Sequence, residues 1–347
     1  MKLAVVGTGI HGASTARSLA KRGHNVTLFE QFSLFHAKGS SHGESRIVRK
    51  AYPDAYYTAL MAKAYPLWQE LEIASGQKLV HEVGLTYFGN ANSKNIETVV
   101  AGLSEVGEPH EVLDSNAVSR ISPDARLEHD EVAVFTPAAG WVDASVCVRV
   151  SLELAKNDGV LVCPNTFVDR TQLEQSFDAY VVAPGGWIRD WVPDIDVSVS
   201  LQTVAFFEAT ITGPVWIDDS LSLAYGFPSV GQQQGAKVAY HSLGRRIDPN
   251  SSGRAPDDSL IAGLKEVLHR RFGQEDPKLV RTYGCLYTNT PDEDFRIGRV
   301  GPSGYFISAC SGHGFKFGPW VGELMADLVE TRQSIEQYPR FDISTPR

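Results

Sequence analysis

No apolar run in this sequence approaches the roughly 20 residues that cross a bilayer, so a membrane-spanning role is not expected. Basic residues are also in the minority. Against 41 Asp and Glu stand 32 Lys and Arg, for a net charge of −9. A general nucleic-acid binder needs a broad basic face to displace phosphate counterions, so that class is excluded as well. Cysteines are few and scattered: Cys147, Cys163, Cys285 and Cys310, with no CxxC pair. Neither a disulfide framework nor a metal-ligand spacing emerges from them, and reduced thiols in a cytoplasm are the expectation. Repeats, low-complexity tracts and Pro/Gly/Ser linkers are lacking too, which favours interleaved domains over separate beads.

What is present is a β-α-β opening. "KLAVVG" reads as a buried strand, "IHGASTARSLAKRG" as a helix closed by Gly23, and "NVTLFE" as a second strand ending at Glu30. The opening "MKLAVVGTGIHG" is too short and glycine-rich for a signal peptide. A polar loop over 36–45 precedes a helix over about 56–74. Short strands and two helices are expected across 80–140. "SVCVRVSLELAKNDG" then reads as a helix, and "VLVCPN" and "AYVVAPGGW" as buried strands. Strand alternation dominates 197–241, a helix covers about 257–272, and "GPWVGELMADLVE" is a final helix with Pro319 in its first turn.

"GTGIHG" places Gly7, Gly9 and Gly12 in GxGxxG spacing. Gly7 permits the tight turn, Gly9 the approach of a pyrophosphate, and Gly12 close strand–helix packing. The helix N-terminus beyond them offers N–H donors to the anion. Glu30 stands where an acid binds a ribose hydroxyl, which favours a dinucleotide without a 2′-phosphate and leaves NAD and FAD both open. Within "RTYGCLYTNTPDEDF", Cys285 has no second ligand nearby; taken alone, a buried small hydrophobe is its ordinary reading.

Three longer stretches go further: "GSSHGESRIVRKAYP" (39–53), "YGFPSVGQQQGAKVAYHSLG" (225–244), and "CLYTNTPDEDF" with "SGHGFKFGPWVGE" (285–295, 311–323). With the fingerprint, they resemble the monomeric sarcosine oxidase and N-methyltryptophan oxidase family of FAD amine oxidases, from residue 1 to the tail "FDISTPR". The resemblance implies an α/β (α+β) fold: a glutathione-reductase-like Rossmann FAD domain (1–79, 140–195, 286–347) interleaved with a mixed-sheet substrate domain (80–139, 196–285). It implies FAD joined to Cys285 by an 8α-S-cysteinyl thioether.

By the same resemblance, Gly7, Gly9, Ile10, Gly12, Glu30, Ser40, Ser41, His42, Arg46, Gly185, Trp187, Cys285, Gly312, His313, Gly314, Phe315 and Lys316 hold the cofactor. Lys237, Arg46, His42 and His241 are the catalytic candidates, with Arg46 and Lys237 against opposite faces of the flavin ring. Arg49 and Lys316 take a substrate carboxylate, the first as a bidentate fork and the second as a point charge. Tyr225 and Tyr287 line the substrate pocket. The implied partners are a small amino acid and O2, acting on a monomer.

Departures fall at "DEDFRIG", at Ala309, at Cys310 just before "SGHGFKF", and across 85–140, where the match is poorest. These shape the pocket. The substrate therefore stays open between N-methyl, cyclic imino and glycated amino acids, and the electron acceptor between O2 and another carrier.

Overall fold

The structure is a computed structural model that describes residues 1–231, 233–241 and 244–343. Positions 232, 242 and 243 of the 225–244 stretch, and 344–347 of the tail, lie outside the described residues. A six-stranded sheet runs Arg296–Val300, Gly304–Ser308, Ala179–Val182, Lys2–Val6, Asn25–Phe29, Leu161–Cys163. All neighbours are parallel except the first pair. The strand Lys2–Val6 has its sequence neighbour Asn25–Phe29 on one side and Ala179–Val182 on the other. That reversal of order opens a crevice at the strands' carboxyl ends, where "GTGIHG" sits.

The helix Ile10–Lys21 follows, and its Gly9 cap makes no side-chain hydrogen bond. Gly23, at φ 85°, turns the chain beyond it. Against this helix lies Gly318–Val329. A Cβ on Gly318 would come within 2.4 Å of Ile10, and one on Gly322 within 2.7 Å of the Ser14 backbone. The small residues thus set how closely the two helices cross.

A second, nine-stranded sheet contains Leu85–Asn90, Glu111–Leu113, Glu131–Thr136 and six strands between Ser198 and Asn289. It is mixed: Val215–Asp218 pairs in parallel with Leu85–Asn90, and the other pairs are antiparallel. Helix Ile261–Phe272 is pinned to it by buried Arg271, which bonds Glu131 at 2.8 Å and Asp218 at 2.7 Å. Between the large sheets, Ser45–Val48, Gly140–Asp143 and Val80–Glu82 form a three-stranded antiparallel sheet. It carries Arg46 and presents Arg49 just past its end.

Several local expectations need correction. "VLVCPN" forms a short edge strand, not a buried one: Leu161 is 62% exposed. Region 80–140 holds one α-helix, Lys94–Glu105, and a single 3-10 turn, Val118–Arg120. The strand in "AYVVAPGGW" stops at Val182, and Gly185–Asp190 coils into 3-10 structure. Helix Arg170–Ser176 was not anticipated, although its capping box of Asp169 and Gln172 is a readable signal.

Candidate active site

Two connected spaces meet between the sheets. The larger, about 580 Å³, runs along the dinucleotide fingerprint, and the smaller, about 260 Å³, lies under the mixed sheet. Arg46, Tyr287, Gly312 and Phe315 border both.

The large cleft is lined by Gly7, Gly9, Ile10, Glu30, Ser40, Ser41, His42, Arg46, Gly185, Trp187, Gly312, Gly314 and Phe315. Gly7 adopts φ 98°, and a Cβ there would lie 2.5 Å from the Ala183 carbonyl. Gly12 lies outside the lining and serves packing: its Cβ would stand 1.8 Å from Gly7 O. The helix start has no acidic residue in its first turn, so its N–H groups face the cleft uncontested by a carboxylate. Buried Glu30 accepts from Thr8 N at 3.0 Å, Thr8 Oγ1 at 2.9 Å and Phe32 N at 3.0 Å. Burial pushes its pKa up, but hydrogen bonds from His36, Thr8 and Phe32 outweigh this and hold the carboxyl below its ordinary value.

Unpaired polar atoms also mark this cleft. His42 Nε2 and Thr288 Oγ1 are buried without partners, and both residues border it. Burial, then the charge of Arg46, lowers His42 to about 4, so its imidazole is neutral. An elongated dinucleotide with an anionic centre fits this donor set: helix N–H groups for a pyrophosphate, Glu30 for a ribose, polar loops for a heterocycle.

Lys237 and Cys285 stand one layer back, behind Arg46. Lys237 Nζ is buried and donates to Ser45 O at 2.7 Å. Burial, and after it Arg46, draws its pKa well below the ordinary lysine value. Arg46 donates to the carbonyls of Ser40 at 3.1 Å and His42 at 2.7 Å, and lies 3.6 Å from Cys285 Sγ. Cys285 and Tyr287 alternate onto the same face of the strand Lys278–Asn289.

The smaller cavity gathers Arg49, Tyr225, His241, Tyr287, His313 and Lys316. Tyr225 and Tyr287 meet hydroxyl to hydroxyl at 3.2 Å. His241 Nε2 faces Glu293 Oε1 at 3.7 Å. Lys316 Nζ donates to Tyr52 Oη at 2.9 Å and to His313 O at 2.8 Å. Tyr52 Oη in turn meets His313 Nδ1 at 3.3 Å, and His313 Nε2 donates to Glu293 O at 3.0 Å. This chain assigns the proton of His313 to Nε2. Burial, then Lys316, places its pKa well below the ordinary histidine value. Lys316 is likewise lowered, first by burial and then by Arg49. Arg49 stacks on the Tyr52 ring at 3.9 Å.

Residue-by-residue reading missed Tyr52, Thr288 and His11. Tyr52 follows Arg49 by three residues within the 39–53 motif, a spacing that could have flagged it. His11 lines the cleft and donates from Nε2 to Gly314 O at 3.1 Å, tying the fingerprint to "SGHG". Cys310 also lines the cleft, where its sulfur accepts the Thr288 N–H at 3.3 Å.

A model of the FAD dependent oxidoreductase family (DAO) matches residues 2–328. Monomeric sarcosine oxidase of Streptomyces avermitilis is 31% identical over 97% of this chain and 96% of its own. N-methyl-L-tryptophan oxidase of Yersinia pestis is 27% identical over 99% and 98%. Among solved structures, NikD, described as an unusual amino acid oxidase essential for nikkomycin biosynthesis, superposes with a TM-score of 0.81 at 23% identity, covering 96% of each chain. With a nucleotide cleft open at the sheet's switch point and a second cavity sharing its wall, the chain belongs to the FAD-dependent oxidoreductase family.

Proposed function

We propose that this enzyme oxidises a secondary or primary amino acid of the N-methyl type to an imine and reduces O2 to H2O2. The observation that carries this reading is the shared wall. A cavity holding Arg49 and Lys316 shares Arg46, Tyr287, Gly312 and Phe315 with the dinucleotide cleft. A substrate carboxylate pairs with Arg49 and Lys316, which directs the carbon next to nitrogen toward the shared wall. FAD, when bound in the cleft, would supply the hydride acceptor for that carbon and the route for two electrons to dioxygen.

The chain's own residues do the rest. The positive field of Arg46 and Arg49, joined by Lys237 and Lys316 in their ammonium forms, disfavours an ammonium, so the bound amine loses its proton and offers a lone pair to the forming C=N bond. Lys237, behind Arg46, would in its ammonium form supply the cation that stabilises negative charge developing on oxygen as the flavin is reoxidised. Cys285, whose sulfur lies 3.6 Å from Arg46, is the thiol that would hold the flavin through a thioether. The relatives' names support the substrate class: sarcosine and N-methyl-L-tryptophan are both N-methyl amino acids.

Peroxide and oxygen uptake, measured over a panel of sarcosine, larger N-methyl amino acids and cyclic imino acids, test this. Matched peroxide and imine yields are expected. Imine formation with an artificial acceptor and no oxygen uptake would instead make the enzyme a dehydrogenase.

A further inference from the structure

One backbone carbonyl holds two of the buried cations. Ser45 O accepts from Lys237 Nζ at 2.7 Å and from Arg46 Nη1 at 3.0 Å. Burial disfavours the charged form of Lys237, and Arg46 adds to that. Arg281 opposes the charge as well, while Glu44 and Cys285 favour it, and the Phe227 ring lies 4.7 Å from Nζ. A second oxygen of the same residue, Ser45 Oγ, stands 3.4 Å from Nζ. It can accept from an ammonium only while its own proton points elsewhere.

Gln233 directs that proton. Ser45 Oγ donates to Gln233 Oε1 at 2.9 Å. The amide has one workable orientation, because Gln233 Nε2 donates to the carbonyls of Pro228 and Gly235, both at 3.1 Å, and carbonyls only accept. The backbone of Gln233 is fixed too: its N–H donates to Val230 O at 3.0 Å, and its carbonyl accepts from Ser229 Oγ at 3.0 Å. The residue is buried and stands outside the lining of both cavities. It therefore reaches the site only through Ser45.

We propose that Gln233 is a positioning residue for flavin reoxidation: by holding the Ser45 proton, it turns both Ser45 oxygens toward Lys237 and keeps that side chain placed and charged behind Arg46. The inference rests on the oxidase reading and deepens it.

The test compares Gln233→Leu with Gln233→Glu. Both remove the donors to Pro228 O and Gly235 O, so both share whatever the loop loses. Only Gln233→Leu removes the acceptor for the Ser45 hydroxyl. Lys237 is titrated by NMR in holoenzyme labelled with [ε-13C]lysine, its signal assigned by loss in Lys237→Met. Its pKa should fall by about one pH unit in Gln233→Leu, the scale of one hydrogen bond to a charged group. In Gln233→Glu it should hold or rise, since the carboxylate still accepts and adds negative charge. Oxygen reaction of the dithionite-reduced flavin should lose its rate at correspondingly lower pH in Gln233→Leu alone. Ser45→Ala should reproduce the leucine shift, and Gln233→Leu should add nothing to it. If Gln233→Leu does not fold, Ser45→Ala against Gln233→Glu makes the same comparison. Equal shifts in both Gln233 variants would assign the effect to loop packing and overturn the proposal. So would an unmoved Lys237 in Gln233→Leu or, in its place, Ser45→Ala. Reduced wild type that meets oxygen no faster than free reduced flavin would end the oxidase reading and the role in reoxidation with it. A fast wild type with an unmoved Lys237 in the variant overturns this inference alone.

Discussion

The cofactor cleft and the substrate cavity share a wall but are made differently. The cleft is built largely from backbone: glycines that admit close approach, and a helix start whose first N–H is held by Ser41 Oγ. The cavity is built from side chains that come from a sheet face, a strand end and two loops far apart in sequence. Errors in the first should therefore be lost as cofactor, and errors in the second as affinity or rate with the cofactor in place.

The sharpest way to break that contrast is at Gly12. Its Cβ would stand 1.8 Å from Gly7 O, backbone that cannot step aside. Overpacking of this kind typically costs about 1–3 kcal/mol, and more when backbone must move. Gly12→Val should give protein almost free of flavin with a lowered Tm, read by absorbance and thermal unfolding. Near-stoichiometric flavin in that variant would mean the turn tolerates a side chain.

Cys285→Ala separates binding from attachment. Flavin should remain bound in native protein but pass entirely into the supernatant on acid precipitation, while Cys163→Ala keeps it in the pellet. Acid-stable flavin in Cys285→Ala would move the link elsewhere, with Cys310, on the cleft wall, the next thiol to examine.

The fingerprint was legible because its chemistry is local. Gly7, Gly9 and Gly12 span six positions, and Glu30 ends the next strand. Arg46, Arg49, Lys237 and Lys316 were legible only through longer motifs, since nothing in an isolated lysine distinguishes a buried cation from a solvated one. Tyr87 and Ile217 were not legible at all. They meet through a parallel pairing between strands about 130 positions apart, a register that no local pattern specifies. The same holds for Leu161, whose apolar neighbours suggested burial but whose strand lies at the sheet's edge.

Behind the cavity wall, Lys237→Met should slow reoxidation of pre-reduced enzyme by roughly 10²-fold, on the scale of losing one preorganised charge stabiliser, with substrate affinity less affected. Stopped-flow mixing with oxygenated buffer measures this. An unchanged rate would leave Lys237 a structural partner of Ser45 only.

Lys316→Met should raise KM for an amino acid by about 10- to 100-fold, the value of a hydrogen bond to a charged group. The same lysine sets a pH dependence. Its pKa is lowered by burial and by Arg49, and the carboxylate needs its ammonium form. KM should therefore rise with pH before the ordinary lysine range is reached, and substrate binding at alkaline pH should take up a proton. Calorimetry in buffers of different ionisation heat detects that uptake, which Lys316→Met should abolish. A flat alkaline profile with no proton uptake would remove Lys316 from the carboxylate site.

If carboxylate capture at Arg49 and Lys316 delivers an amine carbon to the flavin across the shared wall, substrates must carry that carboxylate. Anaerobic titration with an N-methyl amino acid and, separately, with the matching amine that lacks the carboxylate tests it most directly. The amino acid should bleach the flavin band in a single turnover, and the amine should leave it yellow at the same concentration. Equal bleaching by both would contradict it.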